Sequence, residues 1–239
     1  MQINAATANA LDYIADRGAD AARAFVPGAR PKFGDVEVDK ASRVNGDPLS
    51  VATEDGSYFV TTDERGRTAY TQNGALAVDG GTIVASNGRP ILGYARPSGV
   101  LEELHADPVD LALGRVRDVG VGPDGSVGYL RASIDPRTGL RENERVVIGC
   151  IAVAKFPAGT KLSFVDAERS IPPQGVVPHT GRPGDGNFAP LSPGRRAASH
   201  IDLEASLSHL SDAYLAFDAL ASVHKAQGSV AKTAMDLVK

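Results

Sequence analysis

The chain has no tryptophan, one cysteine and two methionines in 239 residues, and aromatic side chains make up only 5%. With Cys150 alone, no disulfide can close within the chain and no cysteine-based metal cluster can form. No apolar run approaches the roughly 20 residues that a membrane-crossing helix needs, so direct membrane insertion is not expected. A Lys/Arg-led apolar leader with a cleavage site is also missing, so no cleavable signal peptide is expected. Positive charge is not in excess: 25 Lys and Arg face 29 Asp and Glu, a formal net charge of -4. That balance excludes the electrostatic footprint of a nucleic-acid partner.

What the chain does have is turn-forming residues and periodicity. Its 26 Gly and 15 Pro imply many turns, and 42% hydrophobic residues suffice for an ordinary core. Over residues 1–33, Ile3, Ala6, Ala10, Ile14, Ala21 and Phe25 recur at helical spacing. Arg17 interrupts that seam as a polar break, Gly18 weakens the helix, and Pro27-Gly28 ends it. Residues 34–171 read as an antiparallel β domain. Short runs such as Ser57–Thr61, Ala69–Thr71, Leu76–Val78, Ile83–Ala85, Val127–Leu130 and Val146–Phe156 alternate with Asn-Gly and Asp-Gly pairs.

Residues 172–200 open with six Pro and five Gly in 23 positions, a composition that predicts an extended connector without a core of its own. The strongest periodic signal follows over residues 201–239. There Leu203, Leu207, Leu210, Tyr214, Phe217, Ala221, His224, Gly228, Ala231, Met235 and Val238 step by three and four. The expected fold is therefore mainly β with terminal α-helices. The two helices pair as a coiled coil, and the β domain is inserted between them. Ile3, Ala6, Ala10, Ile14 and Phe25 are the candidate assembly residues at one end. Leu203, Leu207, Leu210, Tyr214, Phe217, Met235 and Val238 are those at the other.

The middle of the chain carries a more specific pattern. Leu49-Ser50-Val51 runs through Gly56-Ser57-Tyr58-Phe59-Val60, and Tyr70-Thr71-Gln72-Asn73-Gly74 follows with Val78-Asp79. The block closes on Gly88-Arg89-Pro90-Ile91-Leu92-Gly93. These stretches resemble the flagellar axial family of rod, hook and hook-associated proteins, in which a "YTRNGxFxxDxxGxLVxxxGxxVLG" block is characteristic. Val121–Val127 resembles the family's "ISPDGTV" hairpin, and Ile148–Phe156 its "IGxIxLAxF" strand. The likeness covers roughly residues 25–160, and the ends match by pattern. Both ends diverge: Ala22–Gly28 keeps only the Pro-Gly of the N-terminal signature, and Leu203–Leu207 lacks its Asn-Val pair. Length and the single inserted β domain resemble the proximal-rod members more than the longer distal-rod ones.

The resemblance implies a self-assembling, non-enzymatic building block of the basal-body rod, exported without cleavage by the type III route. Its partners would be copies of itself and other rod and hook subunits. The competing expectation is a soluble β-rich binding module or enzyme that uses its helices to dimerise.

Other motifs favour no chemistry. Gly120–Gly125 matches G-x-G-x-x-G, yet the helix required after it is replaced by a strand pattern, so a hairpin is expected. Glu102, Glu103, His105, Asp107 and Asp110 crowd together without a metal-ligand spacing, and Pro108 reads as part of a solvated loop. Cys150 lies in an apolar run and is expected to be inert. His179, His200, His209 and His224 stand in no nucleophile or ligand spacing. No cofactor, metal or small-molecule substrate is expected.

Overall fold

The computed structural model describes residues 5–26, 28–29, 31, 42–44, 46–54, 56–134, 141–166, 168–199 and 201–237. Within these, the side chains of residues 5–6, 42–44, 134, 141–142 and 231–237 are not described. The chain divides into two units. The first holds residues 1–25, 29–39 and 199–239, and the second holds residues 26–28 and 40–198.

The first unit is helical. α1 spans Ala5–Arg23 and α3 spans Leu203–Leu237, 19 and 35 residues respectively. At about 1.5 Å per residue these are roughly 28 and 52 Å long. α1 ends two residues before the expected Phe25. The pair runs antiparallel. The Ser199 hydroxyl donates to the Arg23 carbonyl at 3.5 Å at one end. Further along, Asn9, Ala10 and Tyr13 face His209, Asp212, Ala213 and Ala216. α1 is described from Ala5, four residues before Asn9, so α3 beyond about Leu220 runs on past the described part of α1. Residues 221–230 are all exposed.

The second unit is the mainly β part. Its strands are β1 (Ser42–Val44), β2 (Val51–Ala52), β3 (Ser57–Thr62), β4 (Thr68–Thr71), β5 (Leu76–Asp79), β6 (Thr82–Ala85), β7 (Leu92–Ala95) and β8 (Leu101–Glu103). After the one-turn helix α2 (Pro108–Ala112) come β9 (Val116–Val121), β10 (Ser126–Ile134), β11 (Arg141–Ile151), β12 (Val153–Lys155), β13 (Ser163–Phe164) and β14 (Arg169–Ile171). β15 (His179–Gly181), β16 (Ser192–Pro193) and β17 (Arg195–Ala197) complete it. Every strand pairing among the described residues is antiparallel. One sheet has the order β8-β7-β11-β10-β9, and a second has β13-β14-β4-β3-β12-β15.

The main core draws on both sheets. Phe59 and Val153 come from one, Val127, Tyr129 and Ile151 from the other, with Ile83 from β6 and Ile91 and Leu104 from connecting segments. The apolar run 146–156 serves both: it breaks at Ala152, so β11 lies at the centre of one sheet and β12 continues into the other. A strand that changes sheets in this way makes a corner between two packed layers. A smaller cluster on the far side of β3 and β12 centres on Val60, Tyr70 and Ala154. Phe156 meets the rings of Tyr58 and Tyr70 edge-on there, at 5.6 and 4.8 Å.

Two expectations are corrected. The Pro/Gly-rich stretch is extended but is no mere connector. β15 pairs with β12, β16 with β2 and β17 with β1, and Phe188 and Leu191 are each 3% exposed in the main core. Proline is admissible there because these short strands lie at sheet edges. Pro108 does not mark a solvated loop either. It opens α2, where its missing N–H costs nothing. Asp107 caps the turn, its Oδ1 accepting from the Val109 and Asp110 amides at 2.7 and 3.3 Å.

Candidate functional site

The candidate residues on the helical unit separate into three groups. Ile3 and Val238 lie outside the described residues, as do the side chains of Ala6 and Met235. Ala10, Ile14, Leu203, Leu210 and Phe217 are half-buried. Leu207, Tyr214 and Phe25 are open to solvent, at 50%, 55% and 79% exposure.

The structure corrects the expected seam on α3: at Leu207 and Tyr214 the covered face shifts by one residue to Ser206 and Ala213. Ser206 and Ala213, at 1% and 6% exposure, are the buried positions, flanked by half-buried His209, Leu210, Phe217 and Leu220. Leu207, Tyr214 and Leu215 stand uncovered, with Leu215 at 66%. Farther along, Val223 and Val230, one heptad apart, are 53% and 69% exposed. α1 adds Leu11 at 42% and Tyr13 at 38%. Uncovered large apolar side chains on the pair thus accumulate along one long helix and on its short neighbour.

Arg17, the polar member of the α1 seam, is buried together with Asp20, at 3% and 1% exposure. The Arg17 guanidinium lies over the Tyr13 ring, 5.0 Å from its centroid. Burial pulls the Arg23 guanidinium below its usual range, and the Asp20 charge partly restores it. The signal was present in the spacing. Ala10, Ile14, Arg17 and Ala21 share one helical face, so Arg17 belongs inside with them.

On the β unit, the acidic-imidazole stretch disperses. The Asp110 carboxylate is 3% exposed and accepts from the Tyr129 hydroxyl at 2.6 Å, with Arg131 Nε 3.0 Å away. Burial first, then this bond and the Asp110 charge, push the Tyr129 hydroxyl up to about 12. Asp110 thereby ties α2 to β10. His105 instead meets Thr82 Oγ1 through Nδ1 at 2.8 Å, and Glu103 lies 3.4 Å from its Nε2. Glu102, Glu103, His105 and Arg96 line an open cleft of about 400 Å³. Among the described residues no three His, Cys, Asp or Glu side chains converge on one point.

Gly120–Gly125 forms the β9–β10 hairpin. The Gly125 amide donates to the Gly122 carbonyl at 2.9 Å, and Gly125 takes φ +75°, which suits glycine. Cys150 is half-buried, and burial pushes its thiol up to about 11. No described helix is long and apolar enough to cross a membrane. No family model matches the chain, and no curated protein matches it either.

Proposed function

We propose that this chain is a structural, non-catalytic subunit of the bacterial flagellar basal-body rod that assembles through its terminal helices. The observation that carries the proposal is α3. Among the described residues about half of its length has no α1 beside it, and Leu207, Tyr214, Leu215, Val223 and Val230 stand exposed along it. A helix of this length, isolated in water, gains little from propensity alone, and packing of its apolar stripe must supply the rest. In the proposed assembly α1 and α3 pair as a coiled coil within each subunit. These uncovered side chains, which lie on more than one face of α3, are then buried by the helices of neighbouring copies and of other rod and hook subunits. Each contact is heterologous and repeats without closing, so the product is a tube. The Tyr70–Gly93 block, which carries the resemblance to the axial family, supports the flagellar assignment. It forms β4 through β7 in the β unit. Export would proceed without cleavage, to a place in the periplasm-spanning rod.

Deletion of the gene in its flagellated host, with complementation, tests the reading. Loss of filaments with basal rings retained is the expected result, and normal filaments would overturn it. Leu207→Glu combined with Leu215→Glu, expressed in the deletion strain, should fail to restore filaments while the β unit keeps its thermal transition.

A further inference from the structure

Two Asn-Gly pairs of the β unit share a dipeptide and differ in everything that surrounds it. Asn73 is 4% exposed. Its Oδ1 accepts from the Ala75 amide at 3.1 Å, and its Nδ2 donates to Ser86 Oγ at 2.9 Å. Ser86 Oγ in turn donates to Glu168 Oε2 at 2.5 Å. The following Gly74 is wedged against the next strand: its carbonyl accepts from the Val51 amide at 2.9 Å, and a Cβ there would lie 1.8 Å from the Val51 oxygen.

Asn87 sits at the exposed tip of the turn after β6. Its Oδ1 accepts from the Arg89 amide at 3.1 Å, and among the described residues its Nδ2 has no hydrogen-bond partner. Nothing lies within 4 Å of where a Cβ on Gly88 would be. Two backbone bonds close the turn, the Gly88 amide donating to the Ala85 carbonyl at 2.9 Å and the Ala85 amide donating to the Arg89 carbonyl at 2.8 Å.

We propose that Asn87 is a self-modification site of this protein, converting through its own backbone to aspartate and isoaspartate while Asn73 is protected. The Gly88 amide nitrogen, on losing its proton, attacks the Asn87 side-chain carbonyl carbon. A new C–N bond closes a five-membered succinimide, the bond to Nδ2 breaks, and the nitrogen leaves as ammonia. Water then opens the ring at either carbonyl. One water is consumed and one ammonia released, with no oxidation or reduction. Glycine at position 88 sets no Cβ beside the attacking nitrogen, and its bond to the Ala85 carbonyl, in an exposed turn, is released before attack. Solvent at the tip carries off the ammonia and supplies the water. Reaching the same geometry at Asn73 requires release of both side-chain bonds and withdrawal of Gly74 from Val51, a local opening of the sheet. The product carboxylate adds negative charge next to Ser86, which already holds Glu168.

The test is peptide mapping by mass spectrometry, with isoaspartate detection, on the full chain held in mildly alkaline buffer at physiological temperature. In the folded chain Asn87 should convert about tenfold or more faster than Asn73. In denaturant that difference should collapse, because protection comes from the fold. Asn87→Ser should remove the folded-state isoaspartate signal assigned to that turn. Equal conversion of Asn73 and Asn87 in the folded chain would overturn the proposal. So would a preference of the same size in denaturant, or conversion of Asn87 only after unfolding.

Discussion

At the scale of single residues, burial and hydrogen bonding decide which ionisable groups stay silent. Cys150 has its thiol pushed up to about 11 by burial, so only a very small fraction is thiolate near neutrality. Alkylation by a maleimide should therefore be slow in the folded chain and should accelerate strongly in denaturant. Rapid native-state labelling would show that the site is open. Asp166 shows the opposite balance. Burial by itself raises its carboxyl, but hydrogen bonds from Arg169 and from the Glu168 and Arg169 amides, with the Arg169 charge, hold it below the usual range. Arg169, 4% exposed along its side chain, also donates from Nη1 to the Thr62 carbonyl at 2.7 Å, joining β14 to the end of β3. A depressed folded-state carboxyl contributes stability above its unfolded value of about 3.9 and loses it as pH falls through the folded value. Asp166→Asn should lower stability at neutral pH and flatten the loss of stability below about pH 4. Urea midpoints across that range measure both.

Elements are held by what their backbones can approach. Gly74, in the segment between β4 and β5, packs against the Val51 carbonyl so closely that a methyl group has no room. Gly74→Ala should cost at least about 2 kcal/mol, because the obstruction is backbone and not the end of a flexible side chain. Gly46→Ala is the comparison for conformational strain alone: φ is +73° there, yet nothing lies near the added carbon. If both substitutions destabilise the β unit equally in denaturant titrations, the close approach at Val51 is not what Gly74 serves. α2 illustrates how an element escapes sequence reading. Five residues give no periodicity, so only the Asp107 cap and the Pro108 position announce it.

For the whole molecule, the decisive quantity is the mismatch between a 35-residue α3 and a 19-residue α1. A chain ending at Leu220 keeps the part of α3 that has α1 beside it and loses the part that does not. Its β unit should unfold within about 0.5 kcal/mol of the full chain, since distant changes add independently. Assembly, followed by sedimentation and by rescue of filaments in the deletion strain, should be lost. Undiminished rescue would show that the overhang carries no assembly contact.

Much of this was legible without coordinates. The terminal helices, the strands from Ser57 to Ala85 and the Gly120–Gly125 hairpin follow from spacing and turn chemistry, which act over a few residues. What needed the tertiary structure were pairings between residues far apart in the chain. Proline-rich residues 172–198 join the core only because β2 and β12 offer edges to β16 and β15. Arg17 and Asp20 are buried although their side chains are charged. Heptad spacing marked a seam on α3 through Leu207 and Tyr214, but not that α1 covers the face through Ser206 and Ala213, nor how far along α3 it reaches. That depended on the antiparallel register of two helices of unequal length, which is a property of the folded pair and not of either segment alone.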